Sequence, residues 1–167
     1  MSGETWMVLA VQRWTIGPRT LQAATLLDRA GEHAAAWIAA GLVGAAVDVR
    51  GRQHWVQAVV AVLASHGSSV VLKRVVRRVR PTHPSLGAHV AVPSRWSFPS
   101  SHAASTTTAA ILYGRLVGTR LTAVLPVAMA WSRLGLGVHY PSDVASGIAL
   151  GSAVAALAPI GHRRGAR

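Results

Sequence analysis

The chain has 167 residues, 51% of them hydrophobic and only 13% charged, with a formal net charge of +12. A water-soluble domain of that length would have too few charges to cover its surface, so lipid is the better solvent. The absence of cysteine excludes a disulfide framework, a thiolate nucleophile and a Cys-ligated metal centre, and basic residues gathered in short clusters between apolar runs argue against nucleic acid as a partner.

Taken in chain order, residues 1–32 form an N-terminal amphipathic, interfacial segment. Helices within 5–30 lie on the bilayer, with Trp6 and Trp14 at headgroup level. Glu4 and the lack of a basic region before Trp6 argue against a cleavable signal peptide. Five apolar stretches follow, at 34–49, 54–72, 103–118, 121–138 and 144–160, each 16 to 19 residues long. These sit at the lower end of the ~17–25 residues that span a bilayer, and their Ala and Gly content favours close helix packing. The expectation is an all-α, polytopic membrane helix bundle of about five transmembrane helices over 33–162, with a basic tail at 163–167.

Three polar clusters interrupt the apolar runs, and alternating spans bring all three to one membrane face. The first reads Lys73-Arg74-Val75-Val76-Arg77-Arg78-Val79-Arg80-Pro81. On a helix, seven residues are almost two turns, so Lys73 and Arg80 would point the same way and converge on one anion. Arg77 lies between them, and Arg74 and Arg78 form a second stripe directed at lipid headgroups. Pro81 ends the helix or forces a turn after it. His66 and Ser69 precede Lys73 by two turns and about one turn, on its face, where they can line a pocket.

The second cluster is Pro99-Ser100-Ser101-His102, where Ser100 suits an N-cap and would leave amides free at the positive end of a helix, ready for phosphate. His102 there can donate a proton to a leaving oxygen. The loop at 81–98, with Trp96 near its end, covers this region and can govern substrate entry.

The third cluster runs from Ser132-Arg133 through Gly135 and Gly137 to His139, Pro141 and Asp143. The glycines permit a turn bringing Arg133 and His139 together, and Pro141 suits the first turn of the next helix. His139 and Asp143 are four apart, so the carboxylate can hold one imidazole nitrogen and leave the other free to attack. The remaining histidines, His33, His54, His83, His89 and His162, show no ligand spacing and read as interfacial.

The spacing Lys, six residues, Arg-Pro; Pro-Ser-x-His; Ser-Arg, five residues, His, three residues, Asp resembles the signature of the type 2 phosphatidic acid phosphatase superfamily, which also includes the vanadium haloperoxidases. The resemblance covers residues 73–143. It implies that Lys73, Arg80, Ser100, Ser101 and Arg133 bind phosphate, that His139 is the nucleophile forming phosphohistidine, that Asp143 orients it, and that His102 protonates the leaving group. Ser101 stands where the family usually has glycine. A helical backbone does not require glycine there, so substrate choice is more affected than activity.

With only Glu4, Asp28, Glu32, Asp48 and Asp143, none paired in a ligand-spaced motif, the chain lacks the carboxylates a two-metal phosphatase needs. No cofactor is expected. The resulting reading is a metal-independent phosphomonoesterase, multi-pass in the plasma (inner) membrane, acting on a lipid phosphate, with a polyprenyl-linked substrate preferred. Undecaprenyl diphosphate, phosphatidate and phosphatidylglycerophosphate are the alternative substrates; a haloperoxidase using the same pocket for vanadate, and a non-catalytic lipid-binding scaffold, are the alternative classes.

Overall fold

The computed structural model describes residues 2–15 and 17–160 of the chain, so His162 and the basic tail at 163–167 lie outside the described residues. Helices follow one another as α1 (Gly3–Thr15), α2 (Pro18–Gly31), α3 (Ala35–Val47), α4 (Arg52–Val76), α5 (Ser101–Val117), α6 (Val124–Gly135) and α7 (Pro141–Leu157). Among the described residues there is no strand, only an isolated antiparallel bridge between Val79 and Trp96. The all-helical expectation is met.

α5 is the axis of the molecule and packs against α4, α7 and α6. Its small residues allow that: Ala103, Ala104, Ser105, Thr106, Thr107 and Thr108 are all buried. Thr108 donates to the carbonyls of Ala104 and Gly151, both at 3.1 Å, so its hydroxyl is satisfied inside an apolar bundle. A core of Trp55, Ala58, Val62, Leu112, Tyr113 and Leu116 fills the space between α4 and α5.

The outer faces are as apolar as the core. Leu42, Val43 and Val47 of α3, Val56, Val60, Leu63 and Val71 of α4, and Val124 and Val127 of α6 are exposed. In water such a surface would drive aggregation; in hydrocarbon it is the solvated face. By length and composition, Pro18–Val47 and Val49–Val76 are long and apolar enough to cross a membrane, while Leu121–Gly135 and Pro141–Leu157 are shorter apolar helices. α2 is built into the bundle, packing on α6 and α3, and its Ala24 carbonyl accepts the hydroxyl of Ser132 at 2.8 Å.

α5 and α7 approach closely at Gly147 and Gly151. A Cβ on Gly147 would meet the Ser100 carbonyl at 2.5 Å and Ala103 at 3.0 Å, and one on Gly151 would meet the Ala104 carbonyl and Thr107. Gly151→Leu should therefore force the helices apart. The expected cost is about 1–3 kcal/mol, read as a lower thermal midpoint in detergent.

The helix through Lys73 does not continue to Arg80. α4 ends at Val76, where Arg77 takes the left-handed conformation (φ 54°) and its N–H caps the Lys73 carbonyl at 3.1 Å. Residues 78–81 then run as non-helical chain, bridged at Val79 to Trp96, so the stop comes before Pro81, not at it. A continuous helix would have carried Arg80 about 10 Å further along the axis. The unwound segment instead turns Arg80 back over the end of the bundle.

Candidate active site

Lys73, Arg80, Ser101, His102, Arg133 and His139 line one cavity of about 530 Å³. Its wall is completed by Ala91, Val92, Pro93, Ser94 and Trp96 of the loop at 81–98, by Asp28, Glu32, His33, His66 and Val70, and by Arg74, which therefore borders the cavity and is not directed at lipid headgroups alone. Segments from four helices and three connections between helices thus meet at one end of the bundle.

Lys73 and Arg80 are held by the main chain. Lys73, buried on the last turn of α4, donates its Nζ to the carbonyls of Ser97 (3.0 Å) and Pro99. Arg80 donates Nε to the Ser94 carbonyl at 2.7 Å and one terminal nitrogen to the Val138 carbonyl at 2.6 Å. That same nitrogen is 3.2 Å from His139 Nε2. Burial and the nearby Arg133 bring the Arg80 guanidinium down to about 10, so it stays charged at neutral pH. Carbonyls orient these side chains without neutralising them. A set of cations fixed in this way is complementary to a multiply charged oxyanion.

His139 sits between α6 and α7. Gly135 ends α6, and Gly137 at φ +72° turns the chain so that His139 faces Arg80. Its Nδ1 lies 3.6 Å from Asp143 Oδ2, just outside hydrogen-bond range, and Nε2 points to the cations. Burial pushes the imidazole down to about 3; Asp143 opposes the shift, while Arg80, Lys73 and Arg133 add to it. The ring is therefore neutral at physiological pH, with a lone pair available on the cavity side.

Asp143 is fully buried on the first turn of α7, where Pro141 occupies the first helical position as expected. Its Oδ2 accepts the Tyr140 N–H at 2.8 Å, and its Oδ1 accepts from Arg78 at 2.8 Å. Arg78 does not face lipid headgroups. It also donates to Ser142 Oγ (2.6 Å) and to Glu4 of α1 (2.5 Å), and it stacks 4.2 Å over the Tyr140 ring. A buried carboxylate demands a counter-ion, and Arg78 is the one within reach once α4 unwinds. Glu4 is tied further by the Ser142 N–H at 3.0 Å. Burial would raise the Glu4 carboxyl, but the bonds from Ser142 and Arg78 hold it below its usual range.

The second cluster forms the start of α5. Ser100 is the N-cap, accepting the Ala103 N–H at 3.3 Å. Its own N–H is spent on the Asp143 carbonyl (2.9 Å), and the residue is fully buried, so Ser101 is the member of the pair that reaches the cavity. His102 Nε2 lies 3.0 Å from the Asp28 main-chain carbonyl and 3.5 Å from its carboxylate. Arg133, 1% exposed, donates to Asp28 Oδ1 at 2.7 Å and to Ser132 Oγ at 3.2 Å.

Among the remaining expected lining residues, His66 and Trp96 face the cavity. Arg77 does not: it is exposed, with Nε on the Arg74 carbonyl at 2.9 Å, because the left-handed turn swings it outward. Ser69 is buried and folds back on the His66 carbonyl at 2.6 Å, so it does not line the cavity either. His33, read from sequence as interfacial, is a lining residue, its ring 6.2 Å from that of His66. Asp28, Glu4 and Arg78 were missed as site residues. The available signal was arithmetic: with five acids in the chain, a buried arginine such as Arg133 has few partners to choose from. Among the described residues no group of three or more His, Asp or Glu is placed to hold a metal ion.

Comparison with known proteins supports one lineage. The PAP2 superfamily model matches residues 54–165. The decaprenylphosphoryl-5-phosphoribose phosphatase of Mycobacterium tuberculosis is 46% identical over 156 residues, covering 93% of this chain and 88% of that protein. Its counterpart in Mycolicibacterium smegmatis is 45% identical over 146 residues, 87% of this chain and 81% of that one. The crystal structure of a transmembrane PAP2-type phosphatidylglycerolphosphate phosphatase from Bacillus subtilis shares the fold, with a TM-score of 0.77 at 20% identity, over 93% of this chain and 82% of that one. With two thirds of its length under that model and close relatives matched nearly end to end, this chain belongs to the PAP2 superfamily.

Proposed function

We propose that this chain hydrolyses the phosphomonoester of a polyprenyl-linked phosphosugar such as decaprenylphosphoryl-5-phosphoribose, through a phosphohistidine on His139 and without a metal. The observation that carries the reading is His139 Nε2 set 3.2 Å from Arg80, in the cavity that Lys73 and Arg133 also line. The cations hold the phosphoryl oxygens, aided by Ser101 at the positive end of α5. His139 Nε2 forms a bond to phosphorus as the ester P–O bond breaks, and the leaving oxygen takes that electron pair and a proton from His102. Water then returns a proton to His102 as its oxygen bonds to phosphorus. The P–N electron pair goes back to His139, and inorganic phosphate leaves.

The substrate assignment rests on the mycobacterial relatives at 45–46% identity. α3 to α7 serve as five membrane passes, the shorter ones matched to a locally thinned bilayer, in a multi-pass protein of the inner membrane. Incubating the purified protein in chelator with a panel of lipid phosphates tests the whole reading. Release of phosphate is expected to be fastest from polyprenyl phosphoribose 5-phosphate. Preference for undecaprenyl diphosphate, phosphatidate or phosphatidylglycerophosphate would replace the substrate, and loss of activity in chelator would remove the mechanism.

A further inference from the structure

The N-terminal helix α2 brings a carboxylate into the site. Asp28 lines the cavity, and its Oδ1 is shared between two groups: it accepts from Arg133 at 2.7 Å and stands 3.5 Å from His102 Nε2. The approach is built in. Gly31, one turn on, lies against the His102 ring so closely that a Cβ would meet both that ring and Met129, and this is what allows the Asp28 main chain to reach His102 Nε2 at 3.0 Å. With Nε2 engaged by Asp28, Nδ1 is the nitrogen left to serve a leaving oxygen.

The charges around His102 set a problem that Asp28 solves. Lys73, Arg74, Arg80 and Arg133 line the same cavity and repel an imidazolium, while His66 and His139 bring no negative charge. Asp143 is committed to Arg78 and Tyr140. Glu32 lines the cavity but is not paired with His102, whereas Asp28 is. An oxyanion entering the site competes with Asp28 for Arg133, since both are ligands of one guanidinium.

We propose that Asp28 is a positioning residue: it holds Arg133 in the empty site, yields it to the incoming phosphate, and then supports the protonated His102 that delivers a proton to the leaving oxygen. The inference rests on the phosphohistidine reading above and adds to it a second Asp–His pair, supplied by α2, opposite the pair of His139 and Asp143. Asp28 exchanges no proton in either step; it stabilises the cationic form of His102 by charge.

The test separates leaving groups. Ribose 5-phosphate leaves as an alkoxide and needs an acid, whereas 4-nitrophenyl phosphate leaves as a stable phenolate and does not. In Asp28→Asn, kcat/KM for ribose 5-phosphate should fall by about 10- to 100-fold, a part of the ~10²–10⁴ that general acid catalysis contributes. For 4-nitrophenyl phosphate it should change by about threefold or less on the same ground. Competitive inhibition by inorganic phosphate should be unchanged or tighter, because Arg133 is no longer contested, and Asp28→Glu should restore part of the ribose 5-phosphate rate. Inhibition by phosphate also certifies a folded site; Asp28→Ser serves if the Asn variant does not fold. An equal loss on both esters, or no loss on either, overturns the proposal. A wild-type protein that releases phosphate neither from these esters nor from polyprenyl phosphoribose 5-phosphate overturns instead the phosphatase reading beneath it, and the proposal with it; where the lipid ester alone is cleaved, an undiminished rate on it in Asp28→Asn overturns the proposal.

Discussion

His139→Ala should reduce phosphate release by a factor on the order of 10⁴–10⁶, the range seen when a covalent nucleophile is removed. Lys73, Arg80 and Arg133 are held by carbonyls and by Asp28, not by His139 alone, so the cage survives the substitution. Inorganic phosphate should therefore still bind as an inhibitor while turnover vanishes. Removing a neutral imidazole also leaves no orphaned charge behind, so the protein should remain folded. Brief exposure to labelled substrate followed by alkaline quench should trap acid-labile phosphoprotein in the wild type and none in the variant. Residual activity within tenfold of wild type would remove His139 from the nucleophile role.

Asp143→Asn should cost on the order of 10⁴ in kcat with little change in KM, as expected when the partner that orients a catalytic imidazole loses its charge. Asparagine can still accept the Tyr140 N–H through its side-chain oxygen, so the start of α7 should hold. What disappears is the negative charge 3.6 Å from His139 Nδ1, which keeps the proton on that nitrogen and the lone pair on the other. Arg78 loses one of its two carboxylates but keeps Glu4. A rise in KM at unchanged kcat, or a collapse of the thermal midpoint with activity falling in parallel, would mark Asp143 as a helix-start residue only.

Much of this was legible from spacing. Ser100 as the cap of α5, Pro141 at the first position of α7 and the adjacency of His139 and Asp143 are relations within four residues, and a helix places such neighbours on one face wherever it packs. The same reasoning failed for Lys73 and Arg80, because it required the helix to persist. The left-handed turn at Arg77 is a backbone choice stabilised by what Arg78 and Arg80 reach afterwards, Asp143 in one case and the Val138 carbonyl in the other. Those partners are some 60 residues away.

By itself, the sequence determined the solvent and the chemistry. Too few charges for water meant lipid, and a neutral-capable histidine four residues from a carboxylate, with cations near two other apolar boundaries, meant phosphoryl transfer. Only the tertiary structure decided which charges neutralise which. Asp28 meets Arg133 across 105 residues and Glu4 meets Arg78 across 74, and no local period encodes either pair. Periodicity reports a residue's neighbours on its own helix. A buried charge must instead be matched by whatever the packing of other helices brings within reach, because in a low-dielectric interior an unmatched ion costs more than the fold can absorb.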